Sequence, residues 1–327
     1  MTTTLIAALL AMALTGSAAA FGSKEVGTTS AGFLKRGADA RAAGMGQAVS
    51  AEASDATAVY WNPAGLATLH YRHATFTHSA SYETTFQDFI AYAQPLEAPR
   101  SRNPRERDLR PDQFGALAVG VLYNNSGSLP EVDNTGVATG RSFTPQDLAV
   151  LLGWGATLTR GIDAGITAKY ISSKIVASAA TGAVDFGARW RTLVYGTEAG
   201  YTLAATVRNV GGQIKFHEAS DPLPLTVVIG QSLRPWRFLS LTVDLIGARD
   251  RAVYPSFGAE WRAPMTMGMT GALRGGYDGR LKPDELSGVT GVTLGGGLGF
   301  ERLGFDYAWS PAGELGSTHR LSLSYRF

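Results

Sequence analysis

From position 70 onward the chain is a succession of short segments in which apolar residues take every second position, separated by Gly, Pro, Asn, Asp or Ser. A period of two places neighbouring side chains on opposite faces of an extended strand, so each segment reads as a strand with one apolar and one polar face. Between 160 and 172, Ile162, Ala164, Ile166, Ala168 and Tyr170 share one face, while Asp163, Thr167 and Lys169 share the other. Leu239, Leu241, Val243 and Leu245 alternate with Ser240, Thr242 and Asp244. The last segment sets Leu321, Leu323, Tyr325 and Phe327 against Arg320, Ser322, Ser324 and Arg326. About 14 segments can be counted, each close to the ~10 residues that a tilted strand needs to cross a bilayer. The spans are 70–80, 85–96, 113–124, 145–157, 161–172, 182–191, 198–209, 223–233, 238–247, 253–263, 265–276, 287–298, 300–309 and 318–327.

A soluble sandwich or propeller would also bury one face of each strand. Against them, aromatic residues gather at strand ends on the apolar parity, among them Trp154, Tyr170, Trp190, Trp261, Tyr307 and Trp309, as in the interfacial girdles of membrane barrels. The fold class expected is therefore all-β, a transmembrane antiparallel β-barrel of the outer membrane, with lipid around it. An even strand count brings both barrel ends to one side, and the expectation puts the N- and C-termini on the periplasmic side. Tight turns at 159–161, 234–236, 262–264 and 299–300 then face the periplasm, and the longer loops 125–144, 173–181, 210–222 and 277–286 face outward. The exception is 97–112, a long inner loop with five arginines against four acidic residues, read as a solvated insertion or a docking site.

Composition agrees with alternation. Charged residues are 17%, below the roughly 25% of soluble domains, while the hydrophobic fraction is 45% and glycines number 40. Net charge is +2 and gives no argument for nucleic acid. With no cysteine there is neither a disulfide framework nor a thiolate site. Residues 5–14, LIAALLAMAL, followed by Ala18-Ala19-Ala20, read as a signal peptide over 1–20, although Met1-Thr2-Thr3-Thr4 supplies no cation. The stretch 21–69 fits neither pattern: it is too polar and glycine-broken for a membrane helix and lacks the alternation of 70–327. It reads as an irregular insert inside the barrel, closed by an Asn62-Pro63-Ala64-Gly65 turn.

This stretch resembles the N-terminal hatch of FadL-type outer-membrane barrels. It resembles more closely the opening run of the PorV/PorQ family of type IX secretion, through Gly37-Ala38-Asp39-Ala40-Arg41, Met45-Gly46, Ala51, Ser54-Asp55, Ala58 and Asn62-Pro63-Ala64-Gly65-Leu66. Further along, Val207-Arg208-Asn209-Val210-Gly211, Leu273-Arg274-Gly275-Gly276-Tyr277 and Phe305-Asp306-Tyr307-Ala308 resemble that family's hairpins. Tyr325 and Phe327 resemble the C-terminal signal read by the barrel-assembly machinery.

Catalytic chemistry finds little footing, and no cofactor is expected. His70 and His78 fall on one strand parity and His73 on the other, so they do not converge as zinc ligands. Gly295-Gly296-Gly297 lacks the strand-turn-helix setting of a dinucleotide loop and reads as close approach and bending. Met265, Met267 and Met269 share a parity and read as lipid-facing. The inward parity carries Asp163, Lys169, Asp185, Arg189, Arg191, Asp244, Glu260, Arg262, Asp306, Arg320 and Arg326, a polar lumen able to pair with the insert.

Two non-enzymatic functions follow from the two resemblances. The PorV/PorQ likeness implies secretion or surface attachment of proteins, with secretion-system components or cargo as partners and loops 125–144 and 210–222 as the contact. The FadL likeness implies passive passage of a small hydrophobic ligand gated by the hatch, with Phe33, Leu34, Met45, Val49, Val59 and Trp61 along its path. A purely structural barrel is the third reading.

Overall fold

The computed structural model describes residues 27–81, 84–97, 113–133, 135–194, 199–216, 219–281 and 288–327. The expected signal peptide, 1–20, and residues 98–112 of the arginine-rich loop lie outside them. Fourteen strands form a closed antiparallel barrel: β1 (His73–Ala80), β2 (Phe86–Glu97), β3 (Gln113–Asn125), β6 (Gln146–Thr159), β7 (Ile162–Lys174), β8 (Ser178–Leu193), β9 (Gly200–Gly211), β12 (Thr226–Trp236), β13 (Leu239–Ala248), β14 (Tyr254–Pro264), β15 (Met269–Asp278), β16 (Val292–Phe300), β17 (Leu303–Pro311) and β18 (Ser317–Arg326). Closure comes from β1, which pairs with β2 on one side and β18 on the other. No sheet edge is left, so every ladder group is satisfied within the wall, as a lipid environment requires. No described helix is long and apolar enough to cross a membrane.

Alternation is realised in burial. Along β7, Ile166 and Tyr170 are exposed while Asp163, Thr167 and Lys169 are buried in the lumen. Outward residues such as Leu152, Phe186, Trp190, Trp261, Leu294 and Leu323 give the outer surface an apolar band.

Three local features differ from the expectation. Two loops carry hairpins of their own, β4 (Leu129–Val132) with β5 (Ala138–Phe143), and β10 (Gln213–Phe216) with β11 (Ala219–Pro222). Met265 and Met267 belong to a tight turn rather than to the start of β15, and Met267 has φ of 60°. Third, the lumen is not polar all round. The inner faces of β2, β3, β6 and β7 carry Phe89, Ala91, Ala93, Ala116, Ala118, Leu122, Ala149, Leu151 and Ile171, all buried.

The N-terminal run lies inside this wall. It contains a 3-10 turn (Gly32–Lys35), short helices at Ala40–Gly44 and Ala58–Trp61, and a 3-10 turn at Pro63–Thr68. Ser30 N donates to Pro222 O at 3.0 Å, and Thr29 Oγ1 to Asp250 Oδ2 at 2.7 Å, both at the mouth that bears the long loops. Phe327 N donates to Arg72 O at 3.0 Å at the mouth of tight turns, where His73 opens β1 opposite Arg326. Residues 27–72 thus run through the lumen from one mouth to the other.

Candidate functional site: the filled lumen

The Asn62–Gly65 turn is the deepest anchor. Asn62 is fully buried; its Oδ1 accepts from Ala64 N at 3.1 Å, and its Nδ2 donates to Ser50 O at 2.8 Å. Pro63 at the first helical position loses no hydrogen bond there. The turn sits directly on wall backbone, because β6, β7 and β8 present glycines at this level. A Cβ on Gly165 would lie 2.3 Å from Pro63 C, one on Gly155 2.2 Å from Pro63 O, and one on Gly187 2.1 Å from Asn62 Oδ1. On the opposite wall Met45-Gly46 lies against Gly258 and Gly276, and Gly44 approaches Gly295. Inward glycines are therefore seats for the insert. That signal was present in the sequence as glycines on the inward parity, which the polar reading passed over.

Ion pairs fasten the remaining circumference. Glu260 on β14 takes Arg41 Nε of the insert at 2.9 Å, Arg274 Nε at 2.6 Å and Arg262 Nη2 at 3.1 Å. Arg274 Nη1 reaches Asp306 at 2.7 Å. Glu52 of the insert accepts from Arg234 Nε at 3.1 Å. Arg189 on β8 donates to Ala53 O at 2.9 Å, Thr68 Oγ1 at 3.0 Å and Asp163 at 3.2 Å, and Asp163 also takes Arg191 Nε at 2.7 Å. Lys169 pairs with Asp185 at 2.6 Å and donates to Asn209 at 2.8 Å, where β8 and β9 shift register. Arg320 donates to Arg36 O, and Arg280 Nη1 to Lys35 O at 2.7 Å, so both hold carbonyls at the end of the first 3-10 turn. Asp244 accepts from Ser50 N at 3.0 Å. Tyr325 and Phe327 stack edge to face at the tight-turn mouth, 4.7 Å between ring centres.

At the long-loop mouth Lys35 pairs with Asp250, which lies in the loop after β13. Burial works to raise the Asp250 carboxyl; hydrogen bonds from Lys35 and Thr29 outweigh it and hold the group below its usual range. A carboxyl depressed by folding contributes stability above its unfolded value of about 3.9, and loses it as pH falls through the lower folded value. Amide exchange at residues 31–36, corrected for intrinsic rates, is expected to rise selectively below about pH 4; a flat profile would mean that Asp250 does not fasten this end.

The six apolar insert residues are all buried but do not line one passage. Leu34 and Trp61 border a cavity of about 30 Å³ near the long-loop mouth, room for two waters at most. Phe33 and Val49 belong to the same buried apolar cluster, which continues onto the apolar inner wall. Val59 packs on Gly120 and Gly153, and Met45 on Gly258. A second cavity of about 450 Å³ opens at the tight-turn mouth, lined by charged side chains including Arg41, Glu260 and Arg274. The insert separates the two. His73 accepts from Ala56 N at 3.4 Å, His78 pairs with Asp88 at 2.7 Å, and His70 borders the larger cavity. Among the described residues no cluster of His, Asp or Glu has the geometry to hold a metal.

With the closed 14-strand wall and its filled lumen in place, solved structures provide the comparison. The chain is similar to the Ralstonia pickettii toluene transporter TbuX, with a TM-score of 0.55 and 13% identity over 90% of this chain and 100% of that one. It is also similar to the Pseudomonas putida toluene transporter TodX, with a TM-score of 0.57 and 10% identity over 89% of this chain and 98% of that one. The chain has the fold of these outer-membrane transporters. No family model matches it, and no curated protein matches its sequence.

Proposed function

We propose that the protein is a passive outer-membrane transporter for small hydrophobic molecules, with the insert 27–69 as its hatch. The observation that carries this is the two-sided lumen. One inner wall, on β2, β3, β6 and β7, is apolar and covered by Phe33, Leu34, Val59, Tyr60 and Leu66, while on the polar side Glu260 holds Arg41 of the insert and is itself linked through Arg274 to Asp306. A displacement of the insert opens a route along the apolar wall that is matched to an apolar solute. Toluene, named for the transporters of this fold, is the first tracer to use. Cells producing the protein are expected to accumulate labelled toluene faster than cells without it at low external concentration; equal rates would sink the proposal.

The secretion role implied by the PorV/PorQ resemblance has a different basis: the residue run 37–66 and the projecting β4–β5 hairpin, whose Val132 and Val137 are exposed. Under that reading, removing 129–143 abolishes co-purification of a secreted protein, and unchanged recovery counts against it.

A further inference from the structure

The tight-turn mouth carries arginines that no described carboxylate neutralises. Its cavity of about 450 Å³ is lined by seven arginines against four carboxylates, Asp55, Glu260, Glu301 and Asp306. Of these arginines, Arg41, Arg262 and Arg274 share Glu260, and Arg234 is taken by Glu52. Arg237, Arg302 and Arg326 line the same cavity and make no ion pair with any described carboxylate. All three are exposed at the rim: Arg237 and Arg302 come from the turns after β12 and β16, and Arg326 ends β18. No lysine lines the cavity. The guanidinium fork matches the paired oxygens of a carboxylate or phosphate, which a lysine ammonium does not. A concave site with an excess of positive charge, walled by the insert and low-dielectric barrel, concentrates field and counter-ions.

We propose that this vestibule is a binding site for a small anion bearing a carboxylate or phosphate group, held by Arg302 and Arg326, which lie side by side where Arg326 N donates to Arg302 O at 2.9 Å. The arginines that share Glu260 form its positive floor. The site lies on the polar side of the insert, away from the apolar wall, and it stands whether or not the barrel passes hydrocarbons.

Benzoate and its neutral isostere benzamide separate charge from shape. Calorimetric titration of the full-length protein in a non-ionic detergent is expected to show benzoate binding at one site per chain, at least about tenfold more tightly than benzamide, and weakening as salt is added. The double variant R302Q/R326Q is expected to lose at least about tenfold in benzoate affinity, while R141Q in the β4–β5 hairpin changes nothing. Inorganic phosphate distinguishes the source: competition with benzoate assigns the site to a free anion, and none assigns it to an organic one. Benzamide binding as tightly as benzoate would overturn the proposal, as would a folded double variant with wild-type affinity. If the double variant fails to assemble, the salt dependence of the wild-type protein decides, and salt-independent benzoate binding rejects the site.

Discussion

Gly165→Val is expected to push the Asn62–Gly65 turn off its seat and leave the barrel leaky. The atoms in the way of a side chain at this position are Pro63 C, Pro63 O and Ala64 N, all backbone, at 2.3 to 2.6 Å. Nothing flexible can give, so the cost exceeds the about 1–3 kcal/mol typical of an overpacked core. The barrel wall itself tolerates the change, because valine suits a strand and the ladder with β6 and β8 is made by backbone. The separation of wall from turn makes the effect specific: a barrel that still assembles, with discrete conductance steps in a planar bilayer where the wild-type protein is closed. A silent bilayer with unchanged resistance to heat would show that the turn does not seal the lumen.

Arg189→Met carries the second large effect. The guanidinium is 3% exposed and joins three parts of the molecule, the Ala53 carbonyl, the Thr68 hydroxyl and Asp163 on the neighbouring strand. Removing it leaves the Ala53 carbonyl and part of the Asp163 carboxylate without partners in a site that water does not reach. Breaking a buried pair from one side costs about 3–5 kcal/mol. Asp163 retains Arg191, which places the expectation at the lower end of that range. The double variant Arg189→Met/Asp163→Asn is expected to lose less than the sum of its single variants, since the second change removes the charge that the first leaves stranded. Thermal unfolding followed on gels that separate folded from unfolded barrel measures both; strict additivity would mean that the two residues act independently.

The wall was legible because its period survives burial on both sides. Ile162 through Tyr170 face lipid, Asp163 through Lys169 face the lumen, and a one-residue slip would exchange them. Where the pattern has a second cause it misleads. Met265, Thr266 and Met267 alternate like a strand, yet they form a turn whose apolar side chains are exposed at the mouth. The β4–β5 hairpin is exposed almost throughout, so no buried face marks it in the sequence. The apolar inner wall was hidden for the opposite reason: Ala116 to Tyr123 is apolar on both parities, one face against lipid and one against the insert. The direction of residues 27–36 was not legible at all, because it depends on partners more than 180 residues away, Pro222 and Asp250.

Asp39 shows how a residue noticed only as part of a motif acquires a physical role. It caps the helix at Ala40–Gly44 by accepting from Ala42 N at 2.8 Å, and its other oxygen accepts from Trp61 Nε1 at 2.6 Å. The conjunction ties the start of the insert to the helix that precedes the Asn62–Gly65 turn.

Whether the insert must move for a solute to pass is tested most directly by tying it down. The chain contains no cysteine, and Ala40 N lies 2.9 Å from Ser322 Oγ on β18, so Ala40→Cys with Ser322→Cys offers a single tether between insert and wall. Toluene accumulation by cells carrying this double variant is expected to fall to the level of cells without the protein when the pair is oxidised, and to return on reduction, with each single variant unaffected. Equal accumulation in the oxidised and reduced states would contradict a gating role for residues 27–69.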